Sequence, residues 1–274
     1  FPLQALPHLQ ACIAHKAQQA QHSDAHQHTI WLPVWMHEQV HVCIEITQSE
    51  PFNTHNLDVI TGVFNVYQNY QSLLDYSERD ALTGLLNRKT FDEQFSHSTA
   101  DSLARRVRPA TTGLAVDEEA SCCEPPVEQW LAVVDVDHFK QVNDRFGHLY
   151  GDEVLILIAN ILRSSFRSHD RIFRFGGEEF VVLLRSTTLS TAHKVFNRFR
   201  LAVQAYHFPQ VGQVTVSLGF VSTTRGSPVE ILGQADQALY YAKEHGRNQV
   251  CFYDELVASG HLATKVANDD VELF

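Results

Sequence analysis

The amino-acid sequence predicts a mixed α/β fold, an α+β arrangement in which helices flank a central mixed sheet and a long helix precedes it. Short apolar runs alternate with longer segments of helical period from residue 80 to 253. One run, residues 131–136, is almost continuously apolar, which is typical of a central strand buried on both faces. Two other runs flank Gly176-Gly177, which predicts a two-residue hairpin and hence an antiparallel pair.

The first fifty residues are rich in His and Gln and predict few elements. These are a helix over 9–20, a polar loop with His22, His26 and His28, and strands over 29–35 and 40–47. In the second strand Val40, Val42, Ile44 and Ile46 alternate with polar residues, as in a half-buried strand. Two strands are too little for an independent sensor domain, so this region is interpreted as the end of one.

Residues 56–79 predict a long helix with two apolar stripes. The first stripe consists of Leu57, Ile60, Phe64, Tyr67 and Leu74, and the second of Val63, Val66, Tyr70 and Leu73. Two stripes indicate a helix that is packed against its own domain or paired with a partner helix, and pairing is the favoured interpretation.

The region from residue 80 onward predicts the remaining strands and helices. Strands are expected over 171–175, 180–184 and 214–221, and helices over 151–166, 189–206 and 229–244. Residues 98–129, with Cys122-Cys123 and Pro125-Pro126, are expected to form an inserted loop.

Composition excludes several classes of protein. The 274 residues are 44% hydrophobic and 19% charged, enough to bury a core. The net charge of -11 argues against a nucleic-acid-binding surface. The sequence contains neither an apolar run of about 18 residues that would span a membrane nor a secretory signal. Five cysteines without framework spacing favour a reduced, cytoplasmic setting. The first residue, Phe1 rather than Met, indicates a fragment of a longer protein.

Three segments carry residues suited to chemistry. In Arg174-Phe175-Gly176-Gly177-Glu178-Glu179-Phe180, the glycines leave no side chain above the turn, so a ligand could lie against the backbone. The alternative is a solvated acidic hairpin. The two glutamates are expected to point to opposite faces of the strand.

Asp135 and Asp137 sit at the end of the buried strand predicted at residues 131–136 and share one face by period two. A carboxylate at the carboxyl end of a buried strand is a usual place for metal or ligand chemistry. The alternative for Asp137 is the N-cap of a helix that starts at His138, so Asp135 is the better ligand candidate. The amino end of that helix would offer backbone N–H groups to phosphate.

Asn143 and Asp152 lie in the third segment, residues 143–152. A carboxylate can accept hydrogen bonds from N1–H and N2–H of guanine, which adenine cannot match. The alternative for Asp152 is the N-cap of the next helix.

Together these segments resemble the GGDEF diguanylate cyclase domain over about residues 80–253. The resemblance rests on Asp135-x-Asp137-x-Phe139-Lys140-x-x-Asn143-Asp144-x-x-Gly147-His148-x-x-Gly151-Asp152 and on Gly176-Gly177-Glu178-Glu179-Phe180. Asp80-Ala81-Leu82-Thr83-Gly84-Leu85-Leu86-Asn87-Arg88 resembles the opening motif of the family, and Lys243-Glu244-x-Gly246-Arg247-Asn248 its closing motif. Glutamate replaces the aspartate of the family name at Glu178, a common variant.

The resemblance implies a fold like the polymerase palm and the nucleotidyl cyclases. It implies condensation of two GTP into cyclic di-GMP and two pyrophosphates, with two Mg²⁺ (or Mn²⁺) ions in each half-site. The implied metal ligands are the carboxylates of Asp135 and Glu179 and the carbonyl of Val136. Glu178 is implied to be the catalytic general base or a second metal contact, and the sequence leaves both roles open.

The resemblance also implies a set of substrate-binding residues. These are His138, Phe139, Lys140, Asn143, Asp152, Gly176, Gly177, Lys243 and Arg247. Backbone N–H groups of the first two and the cations Lys140, Lys243 and Arg247 would contact the triphosphate, while Asn143 and Asp152 would read guanine. The alternative for Lys243 and Arg247 is a solvated helix end.

Each such domain is a half-site, so the resemblance implies a homodimer with the two domains antiparallel and the 56–79 helix as its stalk. Arg167 and Asp170 resemble the RxxD site at which cyclic di-GMP acts as allosteric inhibitor, with Arg198 as a helper. A surface ion pair is the alternative for this motif.

The predicted domain organisation has four parts: residues 1–55 as a partial sensor fragment weakly similar to GAF domains, 56–79 as the stalk, 80–255 as the GGDEF domain and 256–274 as a tail. The histidines at positions 8, 15, 22, 26, 28, 37 and 41 lack ligand spacing and are interpreted as solvated. Redox sensing by Cys122-Cys123 stays open.

The resemblance favours an active diguanylate cyclase. The first alternative function is a catalytically silent GGDEF-like receptor for GTP or cyclic di-GMP. A metal- or redox-sensing scaffold is the second alternative.

Overall fold

The computed structural model describes residues 7–24, 26–36, 39–95, 126–224 and 226–263. The chain divides into two compact units, Phe1–Ser77 and Glu78–Phe274. The predicted inserted loop falls outside the described residues except for 126–129, and so do Cys122-Cys123 and His37.

The first unit is a three-stranded antiparallel sheet with two helices. Its elements are α1 (Pro7–Ala14), β1 (Ala20–Ser23), β2 (His28–Met36), β3 (Gln39–Gln48) and α2 (Thr54–Glu78). The strand order is β1-β2-β3. Alternate residues of β2, Ile30, Leu32 and Val34, are buried and form a core cluster with Phe64 of α2. The two strands predicted here are confirmed.

Helix α1 is shorter than the predicted helix over 9–20. Lys16 has φ +52, a left-handed conformation that a helix cannot continue through. The N–H groups of Lys16 and Ala17 donate to the carbonyls of Ile13 and Cys12, which closes the helix end. Because the helix ends here, the residues that follow are available for a strand, and Ala20–Ser23 pairs with β2 as a third strand.

Helix α2 confirms the predicted long helix and separates its two apolar stripes. Phe64 of the first stripe is buried, and Leu57 and Ile60 pack against the same cluster. In the second stripe Val63 and Leu73 are each 67% exposed, and Val66 and Tyr70 are exposed as well. One face of α2 therefore supports its own sheet, while the second stripe is available to a partner.

The second unit is built around a six-stranded mixed sheet. Its helices are α3 (described over 88–95), α4 (Phe139–Phe146), α5 (His148–Ser165), α6 (Leu189–Ala205), α7 (Pro228–Glu244) and α8 (Tyr253–Ala258). Its strands are β4 (Leu86–Asn87), β5 (Glu128–Val136), β6 (Arg171–Gly176), β7 (Glu179–Thr187), β8 (His207–Phe208), β9 (Gly212–Gln213), β10 (Val216–Ser222) and β11 (Val250–Phe252).

The order of the large sheet is β11-β10-β5-β7-β6-β4, and β8 and β9 form a separate two-stranded sheet. The pairs of β5 with β7, of β5 with β10 and of β6 with β7 are antiparallel. The two edge strands, β4 and β11, run parallel to their neighbours. The predicted mixed sheet flanked by helices is confirmed.

Strand β5 is buried on both faces, as its continuous apolar run predicts. Trp130, Ala132 and Val134 face the cluster that α4, α5 and α6 complete. Leu131 and Val133 face the opposite cluster, to which α3, α7 and α8 contribute. Asp135 has the parity of the second set and therefore lies on the α7 side of the sheet.

The packing of the second unit includes residues on both sides of position 255. Helix α8 continues to Ala258, and both Tyr253 and Leu256 are buried in the cluster beneath α7. Across the described stretches, every helix is too short or too polar to cross a lipid bilayer.

Helix α7 lies unusually close to the sheet at Gly219 of β10. A Cβ atom at this position would come within 2.1 Å of the Ala235 carbonyl oxygen and 2.2 Å of the Leu239 nitrogen. Only a residue without a side chain permits this approach, which fixes the height of α7 above the strands.

We expect Gly219→Ala to lower the free energy of unfolding by about 3 kcal/mol, because α7 must move away from the sheet. Gly233→Ala is the matched control, since a Cβ there meets nothing within 4 Å. Alanine favours the helix, so the control is expected to stabilise by about 0.5–1 kcal/mol. Urea unfolding measures both, and equal stability of the two variants would contradict the close packing.

Candidate active site

The centre of the candidate site is a cross-strand pair of carboxylates. Asp135, next to last in β5, lies directly opposite Glu179, the first residue of β7. Directly opposed residues of an antiparallel pair project from the same face of the sheet. The two side chains therefore share the face on which Val133 and Val181 meet α7.

The hairpin turn is shifted by one residue from its predicted place. Gly176 pairs with Glu179, so Gly177 and Glu178 form the two-residue turn. Gly176 and Gly177 have φ of +147 and +51, which residues with a side chain rarely adopt. The shifted turn therefore still requires glycine at both positions. Glu178 accordingly belongs to the turn, so the prediction that both glutamates alternate along the strand was wrong.

Arg174 holds this turn in place, a role that its position in the motif did not reveal. Its Nε and Nη2 atoms donate to the carbonyl oxygen of Gly177 at 3.2 and 2.9 Å. Its Nη1 donates at 2.8 Å to the carboxylate of Asp80, which begins the opening motif. On the other side of the turn, the Val136 N–H points to the Glu178 carbonyl at 3.4 Å.

The electrostatics of the site are dominated by three carboxylates, of which Asp135 is buried, Glu178 half-buried and Glu179 exposed. Asp135 is 4% exposed, and Lys243 in the last turn of α7 forms an ion pair with it at 2.8 Å. Burial raises the pKa of Asp135 to about 6; Lys243 opposes this rise, and the charges of Glu178 and Glu179 add to it. The pKa of Glu178 is also raised, first by burial, with Lys243 opposing and Glu179 adding to the rise.

These residues fit a divalent cation. Within the described ranges no three His, Cys, Asp or Glu side chains are already clustered as a metal site. The fit instead comes from Asp135 and Glu179, whose carboxylates lie on one face of the sheet. The charge of Glu179 helps to raise the pKa of Asp135, and a cation between the two would relieve this repulsion. A hard cation prefers such ligands and completes its shell with water and phosphate oxygens.

Asp137 is not the helix cap that its position suggested. Its carboxylate accepts hydrogen bonds from the hydroxyls of Thr215 and Ser217, both at 2.7 Å, and from the N–H of Asn248 at 3.0 Å. The residue is 5% exposed. Its partners follow it by 78, 80 and 111 positions in the chain, so spacing within the motif could not indicate them.

Helix α4 begins at Phe139 rather than His138. His138 is the N-cap, in a left-handed conformation with φ +58 and no capping by its side chain. Phe139 is buried, whereas His138 and Lys140 are exposed. The first N–H groups of α4 therefore lie next to the strand end that carries Asp135, as expected.

The residues that the resemblance assigns to guanine lie on α4 and α5, on either side of the contact between Asn143 and Gly151. Asp152 is in the second turn of α5, so the N-cap alternative for it was wrong, and its side chain is exposed. Asn143 of α4 lies over Gly151, where an added Cβ would come within 2.0 Å of its Oδ1. Gly151 is thus needed for the position of Asn143.

The closing motif forms the cationic side of the site. Lys243, His245 and Arg247 line an open hollow of about 670 Å³ together with Tyr240 and Glu244. Gly246, Arg247 and Asn248 all have positive φ, of +109, +59 and +46. The left-handed region costs about 1–2 kcal/mol for each residue with a side chain, so this turn is held by its contacts.

The RxxD residues surround the carboxyl end of α5. Asp170 accepts from the backbone N–H groups of Arg167 at 2.9 Å and Arg185 at 3.2 Å. Arg198 of α6 donates to the carbonyl of Ser165. The structure therefore brings the three predicted residues to one surface.

The histidines of the first unit include one close pair. The rings of His8 and His22 stack with centroids 4.8 Å apart, and His22 Nε2 lies 3.0 Å from Asp24. No set of three metal-ligating side chains lies among the described residues. The interpretation of the histidines as solvated stays a prediction.

The chain is similar to known proteins over its second unit. The family model "Diguanylate cyclase, GGDEF domain" matches residues 115–249. The diguanylate cyclase DgcP of Pseudomonas aeruginosa is 41% identical over 175 residues, which cover 62% of this chain and 23% of that protein. The chain thus spans less than a quarter of the length of this relative.

Solved structures show the same similarity. The active GGEEF domain of a diguanylate cyclase from Vibrio cholerae is 31% identical, with 62% of this chain and 97% of that chain covered and a TM-score of 0.50. The coiled coil and GGDEF domain of DgcB from Caulobacter crescentus, in complex with c-di-GMP, is 25% identical, with 72% and 97% covered and a TM-score of 0.61. The chain belongs to the GGDEF domain family.

Proposed function

We propose that the chain is a diguanylate cyclase, which condenses two GTP into cyclic di-GMP and two pyrophosphates. The observation that carries this proposal is the Asp135–Glu179 pair on one face of the sheet, beside a glycine turn that presents Glu178. The chain also keeps every acidic residue of the family motif, and relatives that match it are named diguanylate cyclases. A silent receptor would not need this set of charges.

Mg²⁺ or Mn²⁺, two ions per half-site, would be held by the carboxylates of Asp135 and Glu179 and the carbonyl of Val136. When bound, such ions neutralise triphosphate charge and favour ionisation of the ribose 3′-hydroxyl. Lys243 supports this assignment, because its ammonium group forms an ion pair with Asp135 at 2.8 Å and shows that this carboxylate attracts positive charge. When metal ions balance the charge of Asp135, Lys243 would be able to donate hydrogen bonds to the triphosphate.

The phosphates would lie between two walls of the site. One wall consists of the N–H groups of His138 and Phe139 together with Lys140, at the start of α4. The other consists of Lys243 and Arg247, which line the hollow described above. A Cβ atom at Gly176 or Gly177 would meet nothing within 4 Å, which leaves room for nucleotide above the turn.

Asn143 and Asp152 would select guanine, because a carboxylate accepts from both N1–H and N2–H. Glu178 would take up the proton of the 3′-hydroxyl or make a second metal contact. Its raised pKa suits the first role, since a general base acts best when its pKa lies nearer to neutrality.

A homodimer follows from the reaction that we propose. Each 3′-hydroxyl must reach the α-phosphate of the other GTP, so two half-sites must face each other. The exposed stripe of α2, which includes Val63, Val66, Tyr70 and Leu73, supports pairing of two copies as a stalk. The structure of DgcB supports this too, because it includes a coiled coil with the GGDEF domain.

Cyclic di-GMP would inhibit the enzyme at Arg167, Asp170 and Arg198. The guanidinium groups can fork onto phosphate or guanine, while the carboxylate can accept from guanine N–H groups. The juxtaposition of these residues at the end of α5 supports the assignment.

The likeness of residues 1–55 to a GAF-type sensor stays a prediction. So do the domain limits at residues 55, 79 and 255, although α8 packs beyond the last of them.

Incubation with GTP and Mg²⁺ tests the activity, with the product identified by mass. We expect cyclic di-GMP from the unmodified chain and a loss of at least about 1000-fold in turnover for Asp135→Asn and for Glu179→Gln. Asp236→Asn, an exposed carboxylate of α7, is the control and should retain turnover. Full activity of either site variant would refute the metal assignment, and GTP binding without product would favour the receptor.

The raised pKa of Asp135 predicts how stability depends on pH in EDTA. A carboxyl whose pKa rises from 3.8 to about 6 on folding binds more protons in the folded state between these values. The folded state therefore loses stability as pH rises from about 4 to 6, by about 2 kcal/mol after allowance for solvent screening. Asp135→Asn should remove this loss and be more stable than the unmodified chain at pH 7.5 but not at pH 4.5. Urea unfolding at the two pH values measures the free energy of unfolding of both proteins. An equal change in this free energy between pH 4.5 and 7.5 in the two proteins would contradict the prediction.

Arg167→Ala should weaken product inhibition by cyclic di-GMP about tenfold while leaving the initial rate nearly unchanged, because it removes a charged contact to the product. Arg171→Ala, an exposed arginine whose side chain contacts Gln94, is the control. Initial rates at increasing cyclic di-GMP measure the effect. Equal inhibition of the two variants would exclude Arg167 from the inhibitory site.

A further inference from the structure

We propose that Asp137 is a positioning residue that fastens the strained turn 246–248 and so holds Arg247 at the phosphate side of the site. This inference rests on the proposed function only for the role of Arg247 toward GTP. The contact itself is a property of the fold and can be measured without nucleotide.

The first argument is the way in which the Asp137 carboxylate is used. Its Oδ1 accepts from Ser217, and its Oδ2 accepts from Thr215 and from the N–H of Asn248. A carboxylate that is 5% exposed is tolerated only when hydrogen bonds replace its water shell. Two of the three donors are on the β10 side, and the third belongs to the closing motif. The carboxylate thus joins two segments that lie far apart in the chain.

The second argument is the strain of the turn to which it is joined. Gly246, Arg247 and Asn248 follow one another with φ of +109, +59 and +46, although only the first is a glycine. Three contacts hold this conformation. Asp137 accepts from the Asn248 N–H at 3.0 Å, Arg200 of α6 donates to the Asn248 side chain at 2.8 Å, and the Arg247 N–H donates to Ala242 at 2.9 Å.

The third argument is the position of Asp137 between the two walls of the phosphate site. Its N–H donates to the Thr215 carbonyl at 2.9 Å, which fixes the backbone that leads into His138 and α4. Its side chain fixes the turn that carries Arg247. One residue therefore sets the separation between the N–H groups of α4 and the guanidinium of Arg247.

The test compares Asp137→Ala with Asp137→Asn in the full chain. The alanine variant removes the acceptor for the Asn248 N–H, so KM for GTP should rise about tenfold while kcat changes less. The asparagine variant keeps one oxygen for that N–H, since the Ser217 hydroxyl can accept from the amide, and should restore KM to within about threefold. Ser217→Ala is the control; it removes a donor to the same carboxylate, leaves the turn untouched and should keep the KM of the unmodified chain.

Hydrogen exchange of the peptide spanning 244–250 is the second readout and needs no nucleotide. Asp137→Ala should speed exchange there at least about tenfold, while Asp137→Asn and Ser217→Ala should not. Asp137→Ser, whose hydroxyl is too short to reach the Asn248 N–H, replaces the alanine variant if that variant does not fold.

Unchanged exchange at 244–250 in the alanine or serine variant would overturn the inference whatever the activity. A rise in KM of equal size in Ser217→Ala would also overturn it, because the effect would then be general destabilisation. Faster exchange in a chain that makes no cyclic di-GMP would uphold the contact and reject the proposed function. The two failures are therefore distinguishable.

Discussion

The antiparallel pairing of β5 with β7 is the constraint on which the candidate site depends. It sets Asp135 opposite Glu179, on the face of the sheet that α7 covers. Backbone hydrogen bonds along both strands fix this register, and the apolar residues on either side bury it. A slip by one residue would turn Glu179 to the opposite face. The pairing of the strands therefore holds the two carboxylates together although their charges repel each other.

The remaining parts of the site are positioned by packing against this strand pair. Gly219 lets α7 approach β10 closely, and the last turn of α7 brings Lys243 to Asp135. Arg174 ties the glycine turn to Asp80, at the beginning of the second unit. The site is thus assembled from stretches that lie far apart in the chain, and contacts with the sheet bring them together.

The sequence predicts the sheet, the helices and the acidic motif well, because these depend on local patterns. The continuous run of β5, the two glycines of the hairpin and the stripes of α2 all indicate the elements that are found. The sequence fails where a long-range contact decides. The local sequence around Asp137 predicts a helix cap, and only the contacts with Thr215 and Asn248 show its actual role. The end of α1 depends on the left-handed conformation of Lys16, which no sequence pattern indicates. The one-residue shift of the hairpin turn likewise follows from strand register rather than from composition.

The borders of the large sheet have a consequence for how two copies can associate. In the described part of the chain both outermost strands are very short, two residues in β4 and three in β11, while the long strands lie inside. Such short edge strands have few unpaired N–H and C=O groups to which a strand of another molecule could bind, which protects the protein against aggregation through its sheet edges. Self-association of this unit must therefore use side-chain surfaces, where it can be reversible and can respond to what those surfaces bind.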